Sequence, residues 1–384
     1  MRRWGLALFG VLCAGPLLIY SCREPTQITV DLTTDLPCVG LPDDAGATRP
    51  PVPGVFSGDG RVALWVAADT PSPVPQVIAR SCAQGASTAH VGTIAIVPSK
   101  SNDDRVVIIH VDDVGMCHAS LQAFADLWDA GTISSGAVMT PCPWFSATAA
   151  WARAHPGVDL GVHGTVNAEW DGYRWGPVST RDRSTGLLDA DGYFHACETA
   201  AWAAADPAAV QAEVDAQVEM ALAAGIDVTH VDTHMGTITH PRFIGGYLQT
   251  LLRYRLPGLI PRLTAEQFLA QGIADDAATA GQFAATARAL EDSGFPLLDA
   301  VDYLPLDDPT DQIALAQRKL NALPPGISHF LMHPAVDTPE LRAIAPDWSS
   351  RVANYQAFIS REMRDFLRGS DLRIIGYRPI RDLM

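Results

Sequence analysis

Residues 106–115 read Val-Val-Ile-Ile-His-Val-Asp-Asp-Val-Gly. A run of β-branched residues stops at two adjacent carboxylates and a glycine. Such an apolar run is the pattern of a parallel strand buried on both faces. Asp112 and Asp113 then stand at its C-terminal end, the edge at which α/β folds bind ligands. Neighbouring side chains on a strand point in different directions. At a strand end the two can take different jobs, one on a metal and one free as a base. Asp and Gly are also common turn residues, so the rest of the chain must decide.

Outward from that stretch, strand-like runs alternate with helical patterns from Arg105 onward. The expected strands are 106–111, 132–139, 158–162, 228–232, 297–301, 327–332 and 372–375. The expected helices are 118–130, 144–154, 207–224, 311–323 and 349–368. Asp206-Pro207 and Gly225 supply start and stop signals for one helix. This alternation fits a parallel barrel or a doubly wound sheet.

Three more strand ends carry polar residues: His163 in Gly161-Val162-His163, His234 in Thr229-His230-Val231-Asp232-Thr233-His234, and His333 in Leu331-Met332-His333-Pro334. In a parallel sheet these ends converge on one rim with Asp112 and Asp113. A carboxylate with two imidazoles suits a divalent metal with open positions for water. Lone strand-end histidines are more often hydrogen-bonded core residues. His230 and His234 are four apart, but Val231 stands where a zinc-protease helix would carry Glu. In an extended strand 230, 232 and 234 share a face. His234 is then the better ligand, with His230 and Asp232 supporting it. His240 can line the cavity or face solvent; His110, His118, His155, His195 and His329 have no supporting context.

The chain has 384 residues, 48% of them hydrophobic, enough for one large domain and a smaller one. Its formal charge of −16 argues against nucleic acid and anionic membrane surfaces as partners. Arg2 and Arg3 precede an apolar run from Trp4 to Leu18 that is short for a membrane span. Residues 1–21 therefore read as a signal peptide of lipoprotein type, with Cys22 as the acylated first residue and a membrane-anchored, exported chain as the result. An ordinary secretion signal or an uncleaved anchor is the alternative. Residues 22–103 alternate short apolar runs with proline clusters at 50–53 and 71–75, which suggests a small β-rich module ending in a polar linker. Cys38 and Cys82 could pair in an oxidising compartment. Cys117, Cys142 and Cys197 lack thiolate-zinc spacing.

The part from about residue 105 to 384 resembles the YdjC-like carbohydrate deacetylases, the group containing chitooligosaccharide deacetylase and the hopanoid-biosynthesis deacetylase. Asp112-Asp113-Val114-Gly115, Gly161-Val162-His163, the 229–234 run and Leu331-Met332-His333-Pro334 carry the resemblance, with Trp175-Gly176-Pro177-Val178 and Ile375-Gly376-Tyr377-Arg378. Each motif is weak alone; four in order are specific. The resemblance implies an α/β fold, an irregular (β/α) barrel over 104–384. It implies a metal on Asp113, His163 and His234, Asp112 as general base and His333 as acid. The ligand set suits Zn, Co, Ni or Mn, and Mg. The substrate would be an acetylated amino sugar or oligosaccharide. Departures fall beside the ligands: Val114 stands where the family has Phe, Gly164-Thr165-Val166-Asn167 replaces Leu-Asn-Leu-Thr, and Ala335 replaces Gly. They spare the ligands and alter the cavity wall.

Amide hydrolysis needs a better electrophile than an amide carbonyl and a better nucleophile than neutral water, and a divalent cation supplies both. His333 would protonate the departing amine. Arg262 is a candidate to contact substrate or Asp112, with a surface position as the alternative. Trp170, Tyr173 and Trp175 could stack on sugar faces or pack under a loop. The rivals are a catalytically inactive surface glycan-binding lipoprotein and a phosphoester hydrolase, the latter requiring clustered Arg or Lys near the ligands.

Overall fold

The computed structural model describes residues 104–270, 274 and 276–384, and before them the backbone of seven short strands. The chain divides into Met1–Ser99 and Lys100–Met384. In the first unit, Ala63–Val66, Gln76–Arg80 and Gly92–Ala95 form an antiparallel sheet, and Leu18–Ser21 pairs with Ile28–Asp31. Cys22 and Cys82 lie outside the described residues.

The second unit is built on seven strands, numbered here within it: β1 (Arg105–Val114), β2 (Ser135–Val138), β3 (Leu160–Gly164), β4 (Val228–Thr233), β5 (Ala300–Tyr303), β6 (Gly326–Met332) and β7 (Arg373–Ile374). All pairings are parallel, in the order β4-β3-β2-β1-β6-β5, and β7 pairs with β1 at Val106 and Val107. The ends of this path are joined by residues 257–262. Val231 bridges Gly258, and Pro261 bridges Leu298 just before β5. Backbone hydrogen bonds from Val231 N to Pro257 O and from Leu298 N to Ile260 O complete the ring. The result is an irregular barrel, with one wall held by bridges instead of a full strand.

All seven expected strands are present. β1 is buried from Val107 to Val114, as its unbroken apolar run requires, and is paired by β6 on one edge and by β2 and β7 on the other. Helix α1 (His118–Ala130) begins after Cys117 and stops at Gly131, whose φ is 68°. Helix α2 spans Phe145–Ala154. Helix α3 (Pro207–Ala223) starts where Asp206 accepts the N–H groups of Ala208 and Ala209 and Pro207 fills the first turn. The expected helix over 349–368 is two helices. One is α4 (Trp348–Ile359); the next begins at Arg361, after Ser360 leaves helical geometry and accepts the Met363 N–H. Hydrophobic periodicity continues through that break, which is why the pattern concealed it.

Candidate metal and catalytic site

At the end of β1 the strand bulges. Val111 pairs with Gly136 and Val114 with Val138, so three steps on β1 oppose two on β2. Asp113 takes a left-handed φ of 60°. Simple alternation would send adjacent carboxylates to opposite faces; the extra residue brings both to one site. Gly115 follows at φ 79°, where a Cβ would stand 2.5 Å from Thr148 Oγ1.

Asp113, His163 and His234 meet there, all buried. Asp113 Oδ1 is 3.3 Å from His163 Nε2 and 3.2 Å from His234 Nδ1, and the two nitrogens are 3.3 Å apart. Ligand atoms about 2.0–2.1 Å from a tetrahedral ion stand roughly 3.3–3.4 Å from one another. Asp113 Oδ1 is buried without a hydrogen-bond partner despite two imidazole nitrogens beside it. The three atoms are arranged around a common centre, and the residues fit a divalent cation.

Each of the three is braced from behind. His163 Nδ1 is 2.7 Å from Asp232 Oδ1, His234 Nε2 is 3.0 Å from Glu169 Oε2, and Arg351 Nη1 donates to Asp113 Oδ2 at 2.7 Å. Carboxylates behind metal-binding imidazoles fix ring orientation. Burial alone would lower the pKa of both imidazoles. Asp232 and Asp112 outweigh it at His163, which lies well above its ordinary value. Glu169 and Asp113 do so at His234, raised to about 9. A pocket that favours protons on two imidazoles is one that favours a cation between them. Burial opposes charge on Asp113, but Arg351 and the two histidines hold its carboxyl well below the usual range.

Asp112 stands beside this triangle. Its Oδ1 is 2.8 Å from His110 Nδ1. Its Oδ2 is 4.0 Å from His163 Nε2 and 3.5 Å from His333 Nε2. Burial opposes ionisation of Asp112, yet His163, His110 and His333 together keep its pKa below the ordinary value. His333 has one-fifth of its side chain exposed, and its backbone N–H donates to Asn354 Oδ1. Burial pushes the His333 pKa down, against Asp112 and Asp113.

Other expectations fall differently. Arg262 is bound to Asp299 at 2.8 Å and Glu291 at 3.3 Å; the guanidinium at the carboxylate pair is that of Arg351. Trp175 is buried, donates from Nε1 to Asn167 O, and lies 6.1 Å edge-on from His234. Tyr173 donates its hydroxyl to Met116 O at 2.6 Å. Trp170 lies under the Arg351 guanidinium. A cavity of about 1050 Å³ is lined by Trp175 with Thr140, Phe145, Arg174, Arg181 and Tyr193. His240 stacks on Trp202.

His110, Glu169, Arg351 and Asn354 were not legible as site residues. His110 had a signal, since it is two residues before Asp112 and shares its face of β1. Arg351 and Asn354 lie three apart on α4, and no local pattern links that helix to β1.

The YdjC-like protein family model matches residues 106–369. A carbohydrate deacetylase of Thermus thermophilus is 31% identical over 280 residues, covering 73% of this chain and 95% of that protein. A carbohydrate deacetylase of Thermoanaerobacter pseudethanolicus is 20% identical over 273 residues, covering 71% of this chain and 98% of that one. A solved structure from Enterococcus faecalis, provisionally named a cellobiose-phosphate cleavage protein, superposes with a TM-score of 0.58 at 19% identity, over 72% of this chain and 99% of its own, and shares the fold. With the strand-end residues assembled at one rim and the family model spanning nearly the whole barrel, this chain belongs to the YdjC-like family.

Proposed function

We propose that the chain is a metal-dependent hydrolase that removes N-acetyl groups from an amino sugar or oligosaccharide. The observation that carries this reading is the triangle of Asp113 Oδ1, His163 Nε2 and His234 Nδ1, with Asp112 Oδ2 beside it. The carbohydrate deacetylases among its relatives support the reaction class.

A divalent cation held by those three residues would supply Lewis acidity, activating water and polarising the amide carbonyl. Asp112 Oδ2 is the base, because Oδ1 is engaged by His110. It accepts the proton that water loses as the oxygen adds to the carbonyl carbon. His333 Nε2, 3.5 Å from Oδ2 and nearer solvent, receives that proton and delivers it to the amine as the C–N bond breaks. Burial holds the His333 pKa down, so the proton given to the amine is the one taken from water in the same turnover. Acetate and a free amino sugar leave. The cavity beside Trp175 offers room for further sugar units.

A phosphoester reading is disfavoured by charge. Arg351 is the guanidinium at the triangle, and Asp113 and Asp347 already neutralise it. Acetate and phosphate release from a panel of acetylated glycans and phosphoesters tests the proposal. Acetate alone should appear, chelation should abolish it, and Asp112→Asn should lose turnover while keeping metal. Acetate release that survives chelation, or unchanged activity in Asp112→Asn, would overturn it.

We also propose that the mature chain begins at Cys22 and is held to a membrane by acylation there. Cys22→Ala should then move the exported protein from the membrane pellet to the soluble fraction. Unchanged partitioning would remove the anchor.

A further inference from the structure

Beneath the base lies a chain of buried polar groups with no part in holding the cation. His110 Nε2 is 2.9 Å from His230 Nε2. His230 Nδ1 is 3.0 Å from Thr229 Oγ1. Thr229 Oγ1 is 2.9 Å from Asp159 Oδ1. All five members, from Asp112 to Asp159, are buried. We propose that His110 is the positioning residue of Asp112, and that the run through His230 and Thr229 to Asp159 keeps hydrogens on both of its ring nitrogens. This rests on the deacetylase reading only for the role of Asp112.

The direction of donation is set from the Asp159 end. Asp159 Oδ1 accepts from Ser135 Oγ at 2.7 Å, and Oδ2 accepts from the Arg378 backbone N–H at 2.6 Å. A carboxylate so placed has only lone pairs to offer, so the single hydroxyl hydrogen of Thr229 points at it. Thr229 Oγ1 must then accept from His230 Nδ1–H. His230 is held neutral by burial and by the neighbouring imidazoles, so its Nε2 carries a lone pair. His110 Nε2 therefore donates to it. The remaining contact, His110 Nδ1 to Asp112 Oδ1 at 2.8 Å, also needs a hydrogen. An ionised Asp112 leaves that hydrogen on His110. Asp232 Oδ2 lies 3.6 Å from the same His110 Nε2.

The surroundings are shaped for this. A Cβ on Gly161 would stand 2.5 Å from His230 Nδ1. Tyr377 stacks on His230 with centroids 4.0 Å apart and takes up His329 through its hydroxyl at 2.8 Å. One oxygen of Asp112 is thereby pinned, and the other is left facing His163 and His333.

Thr229→Val is the test, because it removes one hydroxyl at nearly constant volume and touches neither Asp112 nor a cation ligand. Nitrogen-15 resonances of the histidines, recorded without substrate, should show both His110 nitrogens protonated in the wild type. In Thr229→Val the His230 hydrogen should move to Nε2 and His110 Nε2 should lose its own. Loss of one hydrogen bond corresponds to a fall in kcat of roughly three- to tenfold, with KM and metal content unchanged. Thr229→Ser should restore both readouts, and His110→Asn, which keeps a donor near Oδ1, should retain more activity than His110→Leu. A singly protonated His110 in the wild type, or an unaltered spectrum and kcat in a folded Thr229→Val, would refute the proposal. A wild type that releases no acetate from any glycan would count against the deacetylase reading and leave the spectroscopic outcome to judge the chain of hydrogen bonds.

Discussion

At the scale of single residues, the site depends on buried charges that compensate one another. Asp113 is an ionised carboxylate in the interior, tolerated because Arg351 meets its Oδ2. Removing one partner of such a pair strands the other and typically costs about 3–5 kcal/mol. Arg351→Met should therefore lower the unfolding free energy of chelated protein by roughly 3 kcal/mol in urea titrations, and by less when a cation neutralises Asp113. A loss below about 1 kcal/mol, the range of surface pairs, would mean the carboxylate is compensated elsewhere. Asp112, Asp113, His163, His234 and His333 were legible because each closes an apolar run. Arg351 and Glu169 were not, because their roles arise from contacts between segments, and His110 carried only its place two residues before Asp112 on the same strand. His110 and Arg351 each sit inside an element whose pattern announces only burial.

At the scale of elements, the end of β1 shows why alternation alone misleads. The bulge between Val111 and Val114 and the positive φ of Asp113 aim two adjacent carboxylates at one point. Gly115 completes the turn where no side chain fits. Gly115→Ala should destabilise the protein by roughly 2–5 kcal/mol, from the left-handed backbone and the contact with Thr148, and should lower metal affinity. Equilibrium unfolding and metal titration measure the two effects; wild-type values for both would show that the turn is not what aims Asp113. All seven strands were readable as short, largely apolar runs alternating with helical patterns. The bridge through residues 257–262 was not, because Pro257, Gly258 and Pro261 punctuate it as a loop. It closes the ring through isolated pairs, which leave no periodic signature.

At the scale of the whole molecule, the family match falls within the second unit. The Thermus relative is covered over 95% of its length by an alignment that spans 73% of this chain, and the family model begins at residue 106. A fragment of residues 104–384 should thus unfold cooperatively and release acetate with the kcat of the full chain. A fragment that aggregates, or folds but is inactive, would give residues 22–103 a part in the site. Strand–helix alternation disclosed this unit because it recurs over its whole length. The first hundred residues offered short runs between prolines, a pattern compatible with several small β arrangements.

The central claim is that Asp113, His163 and His234 grip a divalent cation. The metal-to-protein ratio, measured by elemental analysis of wild type and His234→Ala purified side by side, tests it most directly. The account predicts one divalent metal per chain in the wild type and a small fraction of that in His234→Ala. A metal-free wild type after growth and purification in metal-replete medium, or equal metal in both proteins, would contradict it.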